Sequence, residues 1–318
     1  MMLAANLVVV VVLAAALCCC CTATATTALV ADVAVPARSS NNNNNSNHNI
    51  TFDVKFHQRM MNYTWSSFCD PAVIMNNTCA FCSDPDFHAV GTLHDSVTEA
   101  YGYVGYNAKQ GWIILGFRGS SNLDNWLADF DFIKVKYNDT DAKVHAGFFA
   151  AWSGVRAAAT GHVANILASK CPHCSRIITT GHSLGSAISG LASLDLALEY
   201  GNNSKVAVEM HNFGMPRVGD AAFASIFKRA VPYSTRVVHR NDIVPHLPLQ
   251  GMGFHHVATE VWDQSPQTES PPNAQTYKVC DGSGEDPTCS DSVPILEWHP
   301  KDHDYYMGTT NHYCHYDH

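Results

Sequence analysis

Apolar runs alternate with stretches of helical periodicity along most of the chain. Residues 113–117 are apolar almost throughout and predict a buried strand, and residues 176–180, 206–213 and 236–239 predict three more. Between them, residues 148–169 carry Phe149, Trp152, Val155, Val163 and Leu167 at helical spacing. Residues 184–198 repeat Leu184, Ile188, Leu191, Leu194 and Leu198 in the same way, predicting a buried helix. Strands alternating with helices predict an α/β domain with a mostly parallel sheet covered on both faces. No internal repeat and no second linker interrupts the pattern, so residues 50–318 read as one domain.

The first 49 residues differ. An unbroken apolar run, LVVVVVLAAAL, spans residues 7–17 and is followed by small residues, so residues 1–28 read as a signal peptide. A signal anchor kept in the membrane is the alternative, because no Lys or Arg precedes the run. Residues 29–49 end in SSNNNNNSNHN, a polar tract that cannot bury a core and reads as a linker.

Composition narrows the function classes. The chain has 318 residues, with 19 Lys plus Arg against 28 Asp plus Glu, for a net charge of -9. No basic run is present, which argues against nucleic-acid binding. Of 12 cysteines, Cys18, Cys19, Cys20 and Cys21 lie in the signal segment and eight remain, an even number that suits disulfides in an exported chain. Two CxxC pairs, Cys79/Cys82 and Cys171/Cys174, also fit zinc, but export favours disulfides. Sequons begin at Asn49, Asn62, Asn76, Asn138 and Asn202. Together these features predict a secreted protein, with a lumenal or membrane-anchored one as the alternative.

The chemistry centres on Gly181-His182-Ser183-Leu184-Gly185. A predicted strand runs into this G-x-S-x-G and a predicted helix runs out, the setting in which a strained turn lifts a serine hydroxyl above a sheet. The helix N-terminus supplies backbone N–H groups beside it, suited to an anionic intermediate. A serine nucleophile needs a base, and the base an orienting acid. Asp242 stands out as the acid because it follows the predicted strand TRVVH at the carboxyl edge of the sheet. Spacing alone does not separate His303 from His299 or His312 as the base.

At these residues the sequence resembles the class 3, or fungal-type, triacylglycerol lipases. The resemblance is carried by Phe117-Arg118-Gly119-Ser120-Ser121, Asn125-Trp126-Leu127-Ala128-Asp129, Lys143-Val144-His145-Ala146-Gly147-Phe148, the serine pentapeptide, Pro216-Arg217-Val218-Gly219, the stretch from Asn241 to Pro248 and Asp302-His303-Asp304-Tyr305-Tyr306. It implies an α/β-hydrolase fold with Ser183 as nucleophile, Asp242 as acid and His303 as base. It also implies an oxyanion hole made by Ser120 and the Leu184 N–H. The disulfides it implies are Cys69–Cys314, Cys79–Cys82 and Cys280–Cys289, leaving Cys171–Cys174 as an extra local bridge. Two departures stand out: Ser186 replaces a usual glycine, and polar Asp304 follows His303, where it is expected to face solvent.

Leu123, Trp126, Leu127 and Phe130 recur at i, i+3, i+4 and i+7. The pattern alone suits an ordinary core-facing helix, whereas the resemblance makes this segment a lid that presents its apolar stripe to lipid. The expectation is therefore a secreted serine lipase acting on glycerolipids at lipid–water interfaces. No cofactor, no metal and no obligate protein partner is implied.

Overall fold

The computed structural model describes residues 52–120, 123, 125, 131–201, 205–257, 259–266 and 273–314. The predicted signal peptide and linker, the expected lid residues Trp126, Leu127 and Phe130, and sequons Asn49 and Asn202 lie outside the described residues. In chain order the elements are α1 (Val54–Ser66), α2 (Pro71–Met75), β1 (Phe87–Asp95), β2 (Ala100–Asn107), β3 (Trp112–Phe117), β4 (Lys134–Lys136) and β5 (Lys143–His145). They continue as α3 (Ala146–Asn165), β6 (Arg176–His182), α4 (Leu184–Tyr200), β7 (Ala207–Phe213), α5 (Ala221–Ala230), β8 (Tyr233–His239), β9 (Glu260–Asp263) and β10 (Tyr277–Val279).

Eight strands form one sheet in the order β1-β2-β3-β6-β7-β8-β9-β10, and β4 pairs separately with β5. The central pairs from β3 to β9 are parallel, while β1, β2 and β10 add antiparallel edges. The four predicted strands are β3, β6, β7 and β8. All six residues of β3 are buried, as expected where both faces of a parallel strand are covered.

Alternation within β3 divides the core. Ile113, Leu115 and Phe117 join Trp152, Val155, Ile188 and Leu191 of α3 and α4 on one face. Trp112 and Ile114 join Met60, Met61 and Trp65 of α1 on the other. Burying each such side chain contributes about 1.5–3 kcal/mol. Helix α1 starts where Asp53 accepts the Phe56 N–H at 3.1 Å, and α5 where Asp220 accepts the Phe223 N–H at 2.9 Å. Helix α3 ends before the predicted residue 169. Its last turn widens over Ile166–Lys170, where the Cys171 N–H reaches Ile166 O at 2.8 Å.

The eight described cysteines form the pairs Cys69–Cys314, Cys79–Cys82, Cys171–Cys174 and Cys280–Cys289. Both CxxC motifs are therefore closed on themselves rather than open to zinc. Cys69–Cys314 spans 245 residues and ties the end of α1 to the C-terminal segment. In the chain-entropy account a loop of this length is worth about 5.5 kcal/mol. Asn76 and Asn138 are exposed, whereas Asn62 lies half-buried in α1 with its amide on Ser83 Oγ at 3.0 Å.

A polar cluster sits between α1 and the amino ends of the strands. Buried His57 donates from Nδ1 to Asp53 O at 2.8 Å, and its Nε2 meets Thr235 Oγ1 at 2.9 Å. The His211 ring lies 5.1 Å away and bonds the Glu209 carboxylate, which also receives Arg176. Burial, reinforced by His211, pushes the His57 imidazole down to about 3 from its ordinary 6.5. Burial would raise the Glu209 carboxyl, but hydrogen bonds from His211 and Arg176 hold it at about 2. Between about 3 and 6.5 the unfolded chain binds a proton at His57 that the folded chain refuses. The stability from neutral His57 is thus complete above pH 6.5 and is lost as pH falls toward 3. Urea denaturation at about pH 7 and 4.5 should show a lower midpoint in acid, with a smaller drop for His57→Gln. Equal drops in both proteins would contradict this account.

Candidate active site

Strand β6 ends at His182, and Ser183 turns the chain into α4 with φ +57° and ψ -129°. A non-glycine residue at positive φ stores about 1–3 kcal/mol of strain and persists only where its surroundings enforce it. Here the flanking glycines permit the turn. A Cβ on Gly181 would lie 2.4 Å from the Gly185 carbonyl carbon, and one on Gly185 2.3 Å from Phe117 O. Ser186 fits in place of the usual glycine and puts its hydroxyl to use, donating to Ser183 O. The Ser186 carbonyl in turn accepts from Asn212 Nδ2 at 2.9 Å.

Asp242 follows β8 and is completely buried. Its Oδ1 accepts the Val244 N–H at 2.9 Å. Its Oδ2 accepts from His303 Nδ1 at 2.7 Å and also from the Tyr306 hydroxyl. The Nδ1 proton therefore faces the carboxylate, leaving Nε2 as the basic nitrogen. Neither His303 Nε2 nor Ser183 Oγ has a hydrogen-bond partner among the described residues, although both are buried. Catalytic hydrogen bonds are often long before substrate arrives.

The His303 backbone is fixed as well. His182 donates from Nε2 to His303 O at 2.8 Å, and the two rings lie 4.2 Å apart. Burial, then the nearby His303, pushes His182 well below the ordinary imidazole range, so it stays neutral. His239 Nδ1 donates to Asp302 O at 2.9 Å. Gly214, at φ +57°, leaves room for the imidazole, since a Cβ there would lie 2.7 Å from His303 Cε1.

Ser120 follows β3 at the same edge. It lines a cleft of about 100 Å³ together with Ser183, His303, Leu123 and Phe68. Leu184 opens α4, so its N–H has no preceding helical carbonyl to serve. Leu123 is helical and half-buried. Asp304 is exposed at the cleft rim, as expected. Of the rival histidines, His299 accepts the Lys301 N–H at 3.2 Å and His312 lines the cleft, while His303 meets the Asp242 carboxylate.

The family model for Lipase (class 3) matches residues 114–252, which include Ser120, Ser183 and Asp242. A secreted mono- and diacylglycerol lipase A of Penicillium cyclopium is 30% identical over 212 residues, covering 64% of this chain and 67% of that protein. The chain belongs to the class 3 lipase family. A lipase of Rhizomucor miehei is 34% identical over 243 residues, covering 74% of this chain and 63% of that protein. The chain thus matches just under two thirds of that relative's length. The solved lipase II from Rhizopus niveus superimposes with a TM-score of 0.74 at 28% identity, covering 82% of this chain and 96% of that one. This class 3 family member has the α/β-hydrolase fold, with a mostly parallel central sheet and flanking helices.

Tyr306 is the site residue that sequence reasoning leaves without a role. The H-x-x-Y spacing marks it, but only the fold shows its hydroxyl on Asp242 and the His239 N–H on that hydroxyl at 3.3 Å. Burial, then Asp242, raises the Tyr306 hydroxyl well above its usual range, so it remains a donor. Tyr306→Phe should destabilise the fold by about 1.5–3 kcal/mol, the usual loss for a hydrogen bond to a charged group. Thermal unfolding checks this, and an unchanged melting temperature would contradict it.

Proposed function

We propose that this chain is a secreted serine hydrolase that cleaves carboxylic esters of glycerolipids at lipid–water interfaces. The observation that carries the reading is the buried Asp242–His303 pair beside the strained Ser183, with Ser120 lining the same cleft. Ser183 Oγ attacks the ester carbonyl while His303 Nε2 takes its proton. Asp242 holds the imidazole tautomer and stabilises the imidazolium. Ser120 and the Leu184 N–H receive the developing oxyanion. His303 then gives its proton to the departing alcohol, and water repeats the sequence on the acyl-enzyme.

The substrate class draws on the relatives and on the apolar stripe Leu123, Trp126, Leu127 and Phe130, read as a lid. An interface supplies the differential binding that would hold such a lid open. Export is supported by the apolar run in residues 1–28, the sequons and four disulfides. Among the described residues no helix is long and apolar enough to cross a membrane.

The test is the hydrolysis rate of tributyrin followed through its solubility limit. The wild-type rate should jump at the limit, and Ser183→Ala should be inactive on either side of it. Ser120→Ala should lose about 10²–10³ in rate while remaining folded. A smooth curve with no jump would remove the interfacial part of the reading. Retention of a tenth of the activity by Ser183→Ala would remove the nucleophile.

A further inference from the structure

Arg217 has no part in the hydrolytic chemistry, yet its side chain is only 3% exposed. A buried guanidinium is costly unless its donors are met. It stands in the loop between β7 and α5, the same loop that packs Gly214 against the His303 imidazole. Its donors fall into two sets. Nε and Nη2 grip Glu285 Oε1 and Oε2 at 2.9 and 2.8 Å, a two-point fork, and Nη2 also reaches Asp291 Oδ1 at 3.3 Å. Nη1 donates to His246 O at 2.6 Å and to Pro248 O at 3.2 Å, while the Arg217 backbone N–H donates to Leu247 O at 2.8 Å. One residue thus holds the carbonyls of His246, Leu247 and Pro248.

Those carbonyls end the loop that starts at Asp242. Val244–His246 is a 3-10 turn, locked by the His246 N–H on Ile243 O and the Leu247 N–H on Val244 O, both at 3.0 Å. The Val244 N–H that opens the turn is the donor on Asp242 Oδ1. Fixing the far end of the turn therefore fixes its first donor, and with it the carboxylate that faces His303. The anchor is itself held. Glu285 also accepts the His256 N–H at 2.8 Å and Gln250 Nε2 at 2.7 Å, and it lies within the loop closed by Cys280–Cys289. Burial would raise its carboxyl, but Arg217 and His256 hold it at about 2, so it is an anion near neutral pH. The other basic group on the Asp242 loop is looser: Arg240 is 41% exposed and reaches Asp302 at 3.5 Å.

We propose that Arg217 is a positioning residue: anchored by Glu285, it clamps the far end of the Asp242 loop and so sets the carboxylate against His303 Nδ1. The placement of Asp242 stands on this geometry; its consequence for rate rests on the hydrolytic function proposed above.

Arg217→Lys tests the clamp, because it keeps the charge and loses the fork. Arg176→Lys is the control, since it breaks a similar fork onto Glu209 at the amino ends of the strands. The first measurement needs no turnover. The low-field proton NMR resonance of His303 Nδ1, assigned by its loss in His303→Ala, should shift or vanish in Arg217→Lys and stay in place in Arg176→Lys. The second is turnover of dissolved p-nitrophenyl acetate per active site, with sites counted by exhaustive phosphonate labelling. It should fall about 10- to 100-fold in Arg217→Lys with KM little changed, and match the wild type in Arg176→Lys. Should Arg217→Lys not fold, Glu285→Gln loosens the anchor and should move both readouts the same way by less. A lower melting temperature with the resonance and the per-site rate unchanged would make Arg217 merely structural and overturn the proposal. A resonance that moves in Arg217→Lys, in a chain that hydrolyses no ester, would sustain the positioning role and refute the hydrolytic function.

Discussion

A buried carboxylate organises the working edge of this molecule. Asp242 is removed from water, and an unpaired charge there would destabilise the fold by several kcal/mol. Three donors answer it: the Val244 N–H from its own loop, and His303 Nδ1 and the Tyr306 hydroxyl from the C-terminal segment. The demand of one charge for partners thus draws residues some 61 and 64 positions away onto the end of β8. The segment they come from is a series of short 3-10 turns with little regular structure of its own. It is held by Asp242, by the bridge between Asp242 and His299, and by Cys69–Cys314 at its far end.

The parallel sheet makes the rest of the geometry follow. Strands β3, β6, β7 and β8 run the same way and end together, so Ser120, Ser183, Gly214 and Asp242 emerge at one edge. Strain at Ser183 is sustained by close backbone contacts that admit only glycine at positions 181 and 185. The same edge carries buried polar groups and exposed apolar ones. Its interior holds the buried carboxylate–imidazole pair, while Leu296, Ile295, Val97 and Ile133 are exposed in loops along it.

The sequence exposes most strongly what is buried on both faces. Strand β3 stands out because almost every position is apolar, helix α4 because its leucines recur at helical spacing, and the serine turn between β6 and α4 stands out with them. Strands β1 and β2 are hidden because FHAVGTLHD and AYGYVGYN mix glycine, tyrosine and polar residues without an aliphatic run. Helix α1 is hidden for a different reason: it buries His57, Thr64 and Ser66, which read as surface residues until their partners are in place. The choice of His303 over His299 and His312 needed either the resemblance or the fold, since local spacing holds no trace of a contact so distant in sequence. Tyr306 shows the same limit, because its role depends on Asp242 being buried.

The most direct test of the central claim is to treat the folded protein with a p-nitrophenyl phosphonate ester, which mimics the tetrahedral intermediate, and to map the adduct by mass spectrometry. One adduct per chain, on Ser183, formed rapidly in the wild type and far more slowly in His303→Ala, is the predicted result. An unmodified Ser183, or labelling at the same rate without His303, would contradict the account.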